Sequence, residues 1–108
     1  MSNQVNGEEA LQILDEAFGM AKHASGRLGH PEAKERLQQR FPKLSFDEVT
    51  EIYLRAAALA DSSYEIGDLV RSGRTTEAKA LALLQERFPG FGKETYKEAI
   101  SWGYFLSR

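Results

Sequence analysis

The tripeptide Arg-Phe-Pro occurs twice, at Arg40-Phe41-Pro42 and at Arg87-Phe88-Pro89, 47 residues apart. Each copy has to end a helix. Proline lacks an N–H and disfavours the helical region for the residue before it, so Phe41 and Phe88 leave helical geometry. The arginine one step earlier suits the negative pole of the helix it ends. The echo extends beyond the turn. At the same offset Ala33 matches Ala80, Leu37 matches Leu84, Gln38 matches Gln85 and Glu51 matches Glu98, so residues 32–59 are repeated with variation as 79–106.

A new helix starts soon after each Phe-Pro. Ser45 with Glu48 forms a capping-box pattern, and Leu44 before it stands at staple spacing from Val49. Phe91 and Tyr96 repeat that spacing around Gly92, an acceptable N-cap. Each repeat therefore reads as a helical hairpin. Two such units are too few for an open array and are expected to pair face to face.

Other punctuation completes the helices. The first runs from about Glu8 to Ala24, with Leu11, Leu14, Phe18 and Ala21 on one stripe. Asn6 or Gly7 caps its start, and Gly26 and Gly29 mark its end. The second starts at Pro31 and reaches Arg40. The third begins after Ser45 and runs to Arg71, with Val49, Ile52, Tyr53, Ala56, Ala57, Ala60, Tyr64, Ile66, Leu69 and Val70 apolar. One long helix is favoured there, although Ser62 and Glu65 repeat the capping-box spacing and allow a split near Asp61. Gly73 ends it. Thr75 or Thr76 caps a fourth helix to Arg87, and a fifth spans Lys93 to about Leu106. No window alternates with period two, so no strand is expected. The 108 residues suffice for one core. The expectation is a single all-α domain over residues 1–108, a compact five-helix bundle made of an N-terminal helix and two related helical hairpins.

Residues 37–70 resemble the CUE/UBA-like three-helix ubiquitin-binding module. Leu37, Phe41-Pro42, Ser45, Val49, Tyr64, Ile66 and Leu69-Val70 carry the likeness. It implies a ubiquitin-type partner held by Phe41, Pro42, Leu69 and Val70. The chain departs from the pattern at Arg40, where the family usually has methionine, and in the fusion of the last two helices.

Residue types exclude much chemistry. There is no cysteine, hence no disulfide, thiolate zinc site, iron–sulfur cluster or thiol nucleophile. The two histidines, His23 and His30, stand outside any metal-ligand spacing and read as structural or surface groups. Asp61, Glu65 and Asp68 share a helix face that could offer oxygen ligands but reads as solvated. Pro89-Gly90-Phe91-Gly92-Lys93 precedes a helix without the spacing of a phosphate loop. No catalytic residue, cofactor or metal is expected, and the chain reads as a non-enzyme.

Two surfaces remain. Residues 45–70 carry six acids and one base, whereas residues 71–93 carry five bases and two acids. That concentrates positive charge at Arg71, Arg74 and Lys79, a candidate anion or nucleic-acid contact. The last 21 residues hold six of the eleven aromatics. On the fifth helix Tyr96, Ala99, Ile100, Gly103 and Tyr104 make one face, while Trp102, Phe105 and Leu106 fall off it. Those three are the candidate surface for a protein partner or self-association. The leading expectation is a small non-catalytic interaction or accessory protein, with a homodimer as one form of that reading. The alternatives are a nucleic-acid-associated regulator using residues 71–79 and CUE-like ubiquitin-type binding. No apolar run spans a bilayer and the N-terminal stretch lacks a signal-peptide pattern, so no membrane contact and a cytoplasmic location are expected.

Overall fold

The computed structural model describes residues 7–24 and 30–107, with side chains from 9 to 22 and from 31 to 107. Among the described residues there are five helices: α1 Gly7–Ala24, α2 His30–Arg40, α3 Phe46–Arg71, α4 Glu77–Arg87 and α5 Lys93–Leu106. The same residues contain no strand. Asn6, Gly26 and Gly29, and the side chains of His23 and His30, lie outside the described residues.

The local signals act as their chemistry requires. Ser45 Oγ accepts from the Glu48 N–H at 3.1 Å, and the Ser45 N–H donates back to Glu48 Oε1 at 2.8 Å, so the capping box is complete. Thr76 rather than Thr75 caps α4, its hydroxyl accepting from the Lys79 N–H. Helix α3 runs unbroken through Asp61, because Ser62 and Glu65 lie within it and the Ser63 hydroxyl bonds back to the Leu59 carbonyl. Both Phe-Pro stops end their helices on the same bond: Phe41 N–H to Leu37 O at 2.9 Å, and Phe88 N–H to Leu84 O at 2.8 Å.

The two turns then diverge. Gly90 adopts φ +105°, a left-handed conformation that Lys43 at the matched position does not share. The opened turn lets the Tyr96 hydroxyl donate to the Phe88 carbonyl at 2.5 Å and accept from the Phe91 N–H at 3.3 Å. Phe91 packs edge-on against the Tyr96 ring, with centroids 6.0 Å apart. A tyrosine thus replaces the simpler Leu44–Val49 staple and also satisfies backbone groups of the turn.

Packing gathers the five helices into a compact bundle with α3 as its spine, touching all four others. Pairwise contacts fix polarity. Arg55 on α3 donates to the Pro89 carbonyl before α5, and Arg71 at the end of α3 donates to Ser107 Oγ after it. Asp15 then Lys22 on α1 meet Gly92 then Glu98. Helices α1, α3 and α5 therefore run in one direction and α2 and α4 in the other. The matched helices α3 and α5 lie side by side with the same polarity. Matched positions share their burial: Ala33 with Ala80, Leu37 with Leu84, Leu44 with Phe91, Val49 with Tyr96.

Two stripe residues depart from expectation. Leu11 on α1 is 40% exposed and Tyr64 on α3 is 53% exposed. Both sit at the edge of their helix's apolar arc. By contrast Phe18, Leu37, Leu59 and Leu84 are completely enclosed.

Candidate functional site

The C-terminal half of α5 is placed by a close backbone approach. Ser63 and Gly67 of α3 face Gly103 of α5, and a Cβ on Gly103 would overlap the Ser63 carbonyl. A Cβ on Gly67 would likewise overlap the backbone of Gly103 and Tyr104. Nothing larger than glycine fits either position. Because the backbones touch there, the bulky neighbours of Gly103 cannot enter the seam and are turned to its flanks. This overturns the placement of Tyr104 on the core face: the face buries Thr95, Tyr96, Ala99, Ile100 and Gly103, while Tyr104 is 44% exposed.

Trp102, Phe105 and Leu106 lie off the buried face, as their spacing demands. Phe105 is 56% exposed and Leu106 46% exposed, both at the end of the helix, whereas Trp102 is half-buried. The Trp102 and Phe105 rings stack with centroids 6.2 Å apart and planes 24° apart. The indole also meets α1: Lys22 Nζ lies 5.3 Å from the Trp102 ring centroid and 5.8 Å from that of Phe18, and it is ion-paired with Glu98. Glu98 enters the sequence pattern only as the match of Glu51 and Lys22 not at all, because their separation of 76 residues leaves no local signal for the pair.

The basic turn is partly committed internally. Arg71 donates through Nη2 to Asp68 at 3.2 Å and through Nε to Ser107 at 2.9 Å. Arg74 and Lys79 are exposed. The structure thus ties Arg71 to the end of α5.

Between α1 and α5 runs an open acidic groove that includes Asp15, Glu16 and Glu98. Its carboxylates already have partners. Asp15 Oδ1 accepts from the Gly92 N–H at 3.0 Å and from Thr95 Oγ1 at 2.6 Å, Glu16 pairs with Arg40 at 3.1 Å, and Glu98 holds Lys22. Asp15 takes the Gly92 N–H as Glu48 takes the Ser45 N–H at the start of α3, so it stands in for the reciprocal half of a capping box. A Cβ on Gly92 would come within 2.8 Å of Asp15 Oδ2, which accounts for glycine where the first repeat has serine. Among the described residues no three His, Cys, Asp or Glu side chains converge to hold a metal ion, and no helix is long and apolar enough to cross a membrane. The resemblance residues are dispersed in burial: Phe41 belongs to the core, Pro42 is exposed, and Leu69 and Val70 are half-buried.

Compared with known protein families, curated proteins and solved structures, the chain matches none of them.

Proposed function

We propose that the protein is a non-catalytic interaction or accessory protein that binds a protein partner through the C-terminal end of α5. The observation that carries this reading is the exposure of Phe105 and Leu106 beside the ordered Trp102 ring. An aromatic group held in place costs little entropy on binding, which is why aromatic side chains anchor interfaces. Tyr104, also partly exposed on the same helix end, adds an amphipathic ring. Self-association through this surface belongs to the same reading, with a second copy as the partner. A cytoplasmic compartment suits a chain without cysteine.

Two measurements test it. Light scattering of the purified chain reads self-association, and Phe105→Glu is expected to abolish any that occurs. A photo-crosslinking residue in place of Phe105, expressed in the source cell, is expected to form a discrete adduct. The same residue in place of Glu86, exposed on α4, is expected to form none. Adducts from both positions, or from neither in a monomeric protein, would refute the assignment.

A further inference from the structure

The Lys22 side chain is only 12% exposed, although it bears a charge. Burying an ammonium costs free energy unless it is paired. Here three groups from two helices surround it: the Glu98 carboxylate, the Trp102 ring face and the Phe18 ring. Phe18 is fully enclosed in the core, where close packing restricts its ring. Glu98 and Trp102 stand four residues apart on α5, one turn of helix, so both reach the same ammonium from neighbouring positions. The cation is attracted to the negative face of the indole, and this attraction orients the ring as well as holding it. The oriented indole is the ring on which exposed Phe105 stacks. A continuous chain of contacts therefore leads from the core at Phe18, through Lys22 and Trp102, to Phe105 on the surface.

We infer that Lys22 is the positioning residue of the α5 surface, holding Trp102 and through it Phe105 in the orientation presented to a partner. Its relevance to partner binding rests on the function proposed above, but the positioning itself is read without any partner. Charge, not bulk, does the positioning. Lys22→Met keeps an unbranched apolar side chain of similar length and removes the cation, whereas Lys22→Arg keeps the cation.

Trp102 is the single tryptophan of the chain, so its near-ultraviolet circular dichroism and indole resonances report this site alone. In isotope-labelled protein, Lys22→Met is expected to lose the nuclear Overhauser contacts between the Trp102 indole and the Phe105 ring. The indole ellipticity is expected to fall with them, while the far-ultraviolet helix signal stays at the wild-type level. Lys22→Arg is expected to retain both. Glu98→Gln, at a side chain 48% exposed and outside the core, is expected to weaken both signals, and it decides the matter if Lys22→Met does not fold. Ring contacts unchanged in Lys22→Met, or in Glu98→Gln where the first variant is unfolded, would overturn the inference whatever the partner experiments show. Lost ring contacts with an unchanged crosslink from position 105 would instead leave the positioning role standing and remove the proposed surface.

Discussion

Removing the Asp15 carboxylate tests whether a helix start can be held from another helix. Asp15 Oδ1 accepts two hydrogen bonds at the beginning of α5, from the Gly92 N–H and the Thr95 hydroxyl. Each hydrogen bond to this partly buried carboxylate contributes about 1 kcal/mol. Asp15→Ala is therefore expected to cost about 2 kcal/mol. With a urea slope of about 2 kcal/mol/M, the midpoint falls by roughly 1 M. Gly92→Ser supplies the decisive contrast. In the wild type its Cβ meets Asp15 Oδ2 at 2.8 Å and Leu11 Cδ2 at 3.2 Å, and this crowding is expected to cost about 1 kcal/mol. In the Asp15→Ala background the carboxylate is gone, and a serine at that position caps the helix as Ser45 caps α3. There Gly92→Ser is expected to restore about 1 kcal/mol, so the two substitutions couple by roughly 2 kcal/mol. Urea unfolding of the four proteins, followed by far-ultraviolet circular dichroism, completes the cycle. An Asp15→Ala midpoint equal to that of the wild type, or a Gly92→Ser cost that is the same in both backgrounds, would refute this hold in trans.

Three further outcomes are expected. Phe41→Ala is expected to cost about 3–5 kcal/mol, and Phe88→Ala less, because Phe41 is buried and its counterpart is only half-buried; comparative denaturation checks the order. Gly103→Ala is expected to destabilise by about 1–3 kcal/mol or more, since α3 and α5 must separate to admit the methyl group; an unchanged thermal midpoint would contradict the backbone contact. Burial, and secondarily the charge of Asp61, raise the pKa of Tyr53 above its usual 10.0, so the folded state resists losing that proton more than the unfolded chain does. The stability this contributes is complete below about pH 10 and declines as pH rises from there through the folded value. The alkaline decline should shrink in Tyr53→Phe, as measured by denaturation across that range.

Much of the fold was readable locally, because the forces that set it act at short range. The stops at Phe41 and Phe88, the capping box at Ser45 and the cap at Thr76 each involve groups within four residues of one another, so their partners are visible side by side. The candidate site was readable only in outline. Helical spacing takes Trp102, Phe105 and Leu106 off the core face, but it misplaced Tyr104. That residue's azimuth borders the buried arc, and its exposure depends on how closely α3 approaches. Lys22 carried no signal at all, because its carboxylate and its second ring belong to a helix far along the chain.

The same division separates what the chain determines unaided from what tertiary contact decides. Periodicity, prolines and caps determine five helices and their ends, because backbone hydrogen bonding and steric restriction act between near neighbours. Tertiary structure decides the parallel course of α1, α3 and α5, the glycine seam at Gly67 and Gly103, the carboxylate that Asp15 sets against Gly92 and the cradle of Lys22. The seam joins residues 36 positions apart, and the Asp15–Gly92 bond and the ion pair join residues still further apart. The free energy linking such residues comes from packing and desolvation, which exist only once the helices have met.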